Sequence, residues 1–371
     1  MSPISLYIHW PYCSRICPYC DFNVTRDRQQ ASQRPLFEAI LADMRRQANG
    51  LGPCHLASVF FGGGTPSLLP PDWVGELIDQ AKQLFPYADD IEITLEANPT
   101  DAEIARFEGF RAAGVNRLSL GVQSLNDGTL VFLGRNHSAA SAIAGIETAQ
   151  SVFGRVSLDL IYALPGQTPD AWEAELRRAA ALGVEHISPY QLTIEQTTAF
   201  GRAVRRGQWS PPEAELAEDF YFRTLAVLQS LGFEAYEVSN HARGPSARSA
   251  HNVKIWEGVD YMGIGPGAHG RLTRDGVRHA TVALSDLRGY AAAEDPIDST
   301  ALSAGEAEEE ALMLGLRLAE GVALSRLPTL PIQEKAAPLI EQGFMELSAD
   351  RLRATPAGRV VLDRLLLELL S

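Results

Sequence analysis

From residue 4 to about 194 the chain alternates two hydrophobic rhythms. Short runs rich in β-branched, aromatic and leucine residues, at 4–10, 57–63, 91–97, 117–124, 155–165 and 186–194, have the length and composition of buried strands. Between them, apolar residues recur at helical spacing over 34–48, 71–85, 101–113, 139–152 and 170–182. Helix-start chemistry precedes several of these segments: Pro70-Pro71-Asp72, Pro99-Thr100-Asp101 and Thr168-Pro169-Asp170. Gly114 and Gly183 stand where helices should end, each followed by Val and a new strand. Six β-α units with parallel crossovers predict an α/β barrel or an open doubly wound sheet.

Polar positions favour the barrel. Gly62–Thr65, Glu96, Gln123, Asp159 and Gln191 fall at the C-terminal ends of successive predicted strands. Those ends converge on one mouth in a barrel, where ligands bind. The expected class is therefore α/β, a partial (β/α)6 barrel over residues 1–237. The rhythm then fades. A loop at 205–213 leads to a helix at 213–231 carrying Leu216, Phe220, Leu225 and Leu228. Residues 238–302 read as a connecting region, with a Gly- and His-rich section at 251–270 and a linker at 293–306. From 303 to 371 the pattern is helix, helix (332–343), hairpin (344–356), helix, a winged-helix-like domain. Glu306, Glu308, Glu309, Glu310, Asp363 and Glu368 make that domain acidic, so it is expected to serve packing or protein contact rather than DNA.

Composition narrows the function classes. Of 371 residues, 46% are hydrophobic and 21% charged, as in soluble globular proteins. The net charge of −14 repels phosphate backbones and argues against a nucleic-acid partner. No apolar run reaches the roughly 18 residues of a membrane span, which leaves open contact with a membrane surface. The first residues resemble no signal peptide, so a cytoplasmic location is expected.

Three of the four cysteines, Cys13, Cys17 and Cys20, crowd into one C-x3-C-x2-C stretch. An odd cluster in a reducing compartment reads as metal ligands rather than disulfides. A structural zinc would need a fourth ligand from His9, Asp21 or distant Cys54. A four-iron cluster is normally held by four cysteinates, so three would leave one iron open to a small molecule. Unligated thiols are the third reading.

This stretch, with Tyr19 ahead of the last cysteine and placed just after the first strand, resembles the signature of the radical S-adenosylmethionine (SAM) superfamily. The resemblance implies a [4Fe-4S] cluster on Cys13, Cys17 and Cys20, and SAM chelating the open iron. An electron from the cluster would then cleave SAM to a 5′-deoxyadenosyl radical. "FFGGGTPSLL" at 60–69 is similar to the family's Gly-Gly motif, whose backbone holds the SAM amino group. Further phrases, including "LYIHWPYC", "TLEANP", "GVQSLN", "LGRNH" and "DLIYALPGQT", resemble the subfamily of oxygen-independent coproporphyrinogen dehydrogenases and HemW haem chaperones over nearly the whole chain. By that resemblance Tyr7, Gly63, Gly64, Thr65, Glu96, Gln123, Arg135 and Asp159 line the SAM pocket.

Two departures separate the branches. The dehydrogenase branch has a fourth cysteine two residues after the third, where this chain has Phe22, and a long extension ahead of the cluster, where this chain has twelve residues. The chaperone branch carries His-Asn-x-x-Tyr-Trp, proposed to bind haem through His. Here the residues are His251, Asn252, Val253, Lys254, Ile255 and Trp256, with Ile255 replacing Tyr. A neutral imidazole can ligate haem iron and Trp256 could cover the porphyrin, while His269 in "GIGPGAHG" is a weaker candidate. The expectation is haem as ligand and haem-accepting proteins as partners, with porphyrinogen decarboxylation as the alternative.

Overall fold

The computed structural model describes residues 1–26, 33–348 and 350–371. Six parallel strands stand side by side in chain order: Ser2–Trp10, Cys54–Gly63, Tyr87–Ala97, Arg117–Gln123, Arg155–Tyr162 and His186–Gln191. Helices Arg34–Asn49, Pro71–Leu84, Ala139–Val152 and Pro169–Ala181 run between them. Their apolar stripes, such as Phe37, Ile40 and Met44, meet strand residues such as Leu6, Ile8 and Phe61 in one core. Each fully buried side chain of this kind stabilises the fold by roughly 1.5–3 kcal/mol. The partial barrel is the predicted one. Gly114 and Gly183 end helices at positive φ (108° and 84°), as their spacing predicts. The third strand begins at Tyr87 rather than 91 because its first four residues are exposed and carry no apolar signal.

Residues 238–302 do more than connect. Strand Asp260–Ile264 lies parallel against the first strand, with Tyr7 opposite Gly263. His269–Arg274, Val277–Ala283 and Ile297–Ala301 extend the sheet antiparallel from there. The opposite edge ends in two short antiparallel strands, His241–Ala242 and Glu234–Ala235. The expected linker at 293–306 thus carries an edge strand, whose outward Asp298, Ser299 and Thr300 conceal it from an apolar-pattern reading. The start of the Gly- and His-rich section, around His251, is a short helix, Ala250–Trp256, N-capped by Ser249.

The C-terminal unit has its own core around Leu312, Leu316, Ala336, Leu352 and Leu369. It runs helix Ala304–Gly315, helix Ile332–Glu341, strands Met345–Ser348 and Arg351–Ala354, and helices Pro356–Val360 and Leu362–Leu370. Within the expected hairpin, Ala349 lies outside the described residues. Val322–Ala323 adds a third strand. The acidic run has internal partners: Glu306 closes a capping box with Ser303, and Glu308 accepts the N–H groups of Thr329 and Leu330. Glu310 takes Arg271 and Arg278 from the large sheet. Backbone pairing of Glu237 with Leu318, and of the Ala319 N–H with the Tyr236 carbonyl (2.9 Å), joins the two units.

Candidate functional site

The thiol loop leaves the first strand at Trp10 and is pressed onto the glycine turn that ends the second. The Gly64 N–H donates to the Trp10 carbonyl (2.7 Å) and the Thr65 N–H to the Tyr12 carbonyl (2.9 Å). A Cβ on Gly64 would lie 2.8 Å from both carbonyl oxygens; on Gly63, at φ 106°, it would lie 2.5 Å from the His9 ring. Their missing Cβ atoms let the thiol loop pack directly on the turn, and both glycines also line the cavity beside it. With these N–H groups committed, carbonyl oxygens are what this backbone has left to offer an ammonium.

A cavity of about 570 Å³ opens at this mouth. Cys13, Cys17 and Cys20 line it together with Gly63, Gly64, Thr65, Glu96, Gln123, Arg135 and Asp159. Every strand-end polar position except Gly62 is therefore brought to one wall. Tyr7 is not: it lines the adjoining cavity, with its hydroxyl 3.1 Å from His9 Nδ1. Burial and the facing Glu96 carboxylate hold the Tyr7 phenol far above its ordinary pKa.

Charge inside the first cavity is tightly arranged. Burial, then the Asp159 carboxylate, lift Glu96 to about 8 against the Gly63 N–H and Arg117. Burial also raises Asp159, although Ser119 Oγ donates to it at 3.1 Å and Ser188 adds a second bond. Arg135 donates to Cys17 Sγ (3.3 Å), the Gly121 carbonyl (2.8 Å) and Asn98 Oδ1. Burial works against its charge, but Tyr19 and Cys17 hold the guanidinium protonated. Burial pushes the Cys13 thiol up to about 11 and also raises Cys20. Gln123 adopts φ 64° where the strand register slips after Leu120, a local strain that turns its side chain from sheet to cavity.

The donor set fits a polynuclear cluster better than zinc. Among the described residues, no three His, Cys, Asp or Glu side chains converge on one ion, although the three thiols share a cavity. A cubane asks for one cysteinate on each of three irons, not for sulfurs meeting at a point. His9 is committed elsewhere: Nε2–H donates to the Asn23 carbonyl (2.8 Å), so Nδ1 accepts from Tyr7. Cys54 begins the second strand, beside Ser2 and at the far end from Gly63. Asp21 alone of the three candidates lines the cavity.

A second cavity, about 920 Å³, adjoins the first, and Asp21, Phe22 and Tyr190 line both. His251, Asn252, Ile255 and Trp256 border it as one stripe of the short helix, with His269 opposite on a sheet strand. The Glu92 carboxylate fixes the helix by accepting the N–H groups of Ala250 and His251, both at 2.9 Å. Burial opposes the Glu92 charge, but Arg117, Arg155 and these N–H groups keep its pKa low. The His251 ring stacks on Phe60 at 4.8 Å. Its Nδ1 meets Ser58 Oγ at 2.9 Å, and because the Ser58 hydroxyl donates to Ser5 Oγ, Nδ1 is the donor and Nε2 is left bare. Burial holds the imidazole neutral, with its pKa lowered to about 4.

Residues 7–179 match the Radical SAM superfamily model and residues 302–361 the HemN C-terminal domain. A bovine relative, the mitochondrial radical S-adenosyl methionine domain-containing protein 1, is 38% identical over 99% of this chain and 87% of its own length. The heme chaperone HemW of Escherichia coli (strain K12) is 34% identical over 99% of this chain and 98% of its own. The chain belongs to the HemW–HemN family of radical SAM proteins. Its fold matches that of E. coli coproporphyrinogen III oxidase (HemN), with a TM-score of 0.83 at 23% identity over 99% of this chain and 90% of that one.

Membership of the radical SAM superfamily implies SAM and a [4Fe-4S] cluster. In this HemW–HemN family member the sequence reading missed several residues of both cavities. Asn98 and Ser119 hold Arg135 and Asp159, and Ser58 sets the His251 tautomer. Tyr190 divides the cavities and Arg317 reaches the second from the C-terminal unit. Only Asn98, in the quoted "TLEANP", left a trace in the sequence. Phe22, in place of the fourth cysteine of the dehydrogenase branch, is exposed where the cavities meet. Among the described residues, no helix is long and apolar enough to cross a membrane.

Proposed function

We propose that this protein is a haem chaperone: it holds haem in the 920 Å³ cavity and passes it to haem-dependent proteins, with SAM and the cluster in the first cavity. The observation that carries this is His251. A neutral imidazole with a bare Nε2, fixed through Nδ1 by Ser58, borders a cavity at the upper end of the roughly 300–1,000 Å³ range of small-molecule sites. Asn252, Ile255 and Trp256 continue the same face, and Ile255 contributes apolar contact where the motif has Tyr. Arg317 covers the Trp256 ring at 4.3 Å, which fixes the indole as a wall.

In the first cavity, Cys13, Cys17 and Cys20 would hold three irons of a cluster that supplies an electron and an open coordination site. Gly63 and Gly64 carbonyls, Thr65, Glu96, Gln123, Arg135 and Asp159 would position SAM. The shared wall of the two cavities favours a second reading, oxidative decarboxylation of a porphyrinogen held beside SAM.

Anaerobically reconstituted protein is titrated with haem, assayed for transfer to an apo-acceptor, and assayed in parallel for coproporphyrinogen consumption. The parent is expected to bind and transfer haem without consuming porphyrinogen. His251→Ala should lose or shift the haem bands while SAM binding survives. A parent that consumes porphyrinogen and binds no haem replaces this reading with the enzyme. A His251→Ala variant that transfers haem like the parent moves the ligand elsewhere, with His269 next to test.

A further inference from the structure

We propose that Arg317, supplied by the C-terminal unit, pairs with a propionate carboxylate of the tetrapyrrole in the second cavity and so selects ligands bearing free carboxylates. The inference deepens the haem reading and rests on it. Among the described residues lining that cavity, Arg317 is the one permanent cation, beside the carboxylates of Asp21, Glu237 and Asp298. A dicarboxylate ligand entering this wall needs a cation, and among the described lining residues Arg317 supplies it.

The guanidinium is held in place but not saturated. Its Cζ lies over the Trp256 ring at 4.3 Å, and its ion pair to Glu237 Oε2 is long at 3.3 Å. Its Nε–H is buried without a partner. A guanidinium offers five donors in a fork that matches a carboxylate bidentately, and such charge-assisted pairs are the strong ones. The guanidinium, partly exposed on the cavity wall and only loosely paired with Glu237, can therefore take a second carboxylate as it turns.

Glu237 can release it. This carboxylate is fully buried, yet it also accepts from the Ser239 N–H (2.7 Å) and from the Asn240 side-chain amide. Those donors stay on Oε1 when Arg317 turns towards a ligand, so Glu237 keeps two of its hydrogen bonds through the exchange. The backbone at 318–319 is paired to 236–237, which keeps Arg317 on the cavity wall through the exchange.

The test compares haem with haem dimethyl ester, in which both propionates are masked, by absorbance titration of reconstituted parent and variants. The parent should favour the free acid by about tenfold or more, the factor expected for one charge-assisted bond. Arg317→Gln should erase that preference, read as the acid-to-ester affinity ratio so that any loosening of Trp256 cancels, and Arg317→Lys should restore part of it. Glu237→Gln, by removing the internal competitor, should tighten the acid and not the ester. The double variant Glu237→Gln with Arg317→Gln leaves no unpaired buried carboxylate, so loss of preference there cannot come from misfolding around Glu237. An equal preference for the acid in parent and Arg317→Gln overturns the inference and leaves the haem reading standing, as does a parent that binds acid and ester alike. A parent that binds neither ligand removes both.

Discussion

Burial and the Asp159 charge raise the Glu96 carboxyl from 4.5 to about 8. A raised folded-state pKa means that the native protein keeps a proton the unfolded chain gives up. The resulting stability is complete below about 4.5 and is lost as pH rises towards 8. Glu96→Gln, which keeps the shape without the charge, should match the parent near pH 4 and exceed it at pH 8. At about 1.4 kcal/mol per pKa unit, the gain at pH 8 is on the order of a few kcal/mol. Urea unfolding of cluster-free protein across that range reads it directly. A difference that stays flat with pH would show that Glu96 titrates in the folded protein as it does in the unfolded chain. Glu96, Gln123 and Asp159 were legible because a polar residue ending an apolar run is conspicuous. Ser58 was not, because a serine inside a strand gives no local sign that its partner, His251, lies 193 residues away.

The six β-α units were legible because each carries its own period and its own caps. The strands from Asp260 on were not: Asp260–Ile264 pairs with the distant first strand, and those that follow carry polar residues on their outer faces. The glycine turn was legible as a turn, but the thiol loop packed against it was not. Gly64 needs no positive φ; it needs room, because the thiol loop lies on it. Gly64→Ala should push the Trp10 and Tyr12 carbonyls away and break two backbone hydrogen bonds, at about 1–3 kcal/mol for overpacking. The barrel should still fold, as its core is remote, but reconstituted iron content should fall. Parent-like iron loading together with parent-like unfolding would mean that the loop shifts freely, and the close approach would lose its significance. Gly265 follows the same logic from the other side: at φ 107° it rests against the His9 carbonyl, so "GIGPGAHG" serves the packing of the first strand.

The winged-helix-like pattern of the C-terminal unit was legible, whereas its dependence on the barrel was not, because a row of glutamates gives no hint of which arginines they meet. Glu310 is the clamp: Arg278 Nε donates to it at 2.7 Å and Arg271 shares it. Burial disfavours its charge, yet the hydrogen bonds from these two arginines lower its pKa, so the clamp is present above about 4.5 and fails as pH falls through the folded value. Glu310→Gln should therefore weaken docking near neutral pH by about 1.5–3 kcal/mol, the scale of a charge-assisted hydrogen bond. Parent and variant should draw closer in stability as pH falls from 7 to 3.5. Because Arg317 and the wall it forms depend on that docking, haem affinity should fall in the variant while SAM affinity, set at the barrel mouth, stays unchanged. Denaturation midpoints and paired titrations at pH 7 and 3.5 check all of this. If Glu310→Gln leaves the midpoint and haem binding at pH 7 as they are, backbone pairing at Glu237 and Leu318 holds the units together without the arginines, and the second cavity is independent of the acidic helix.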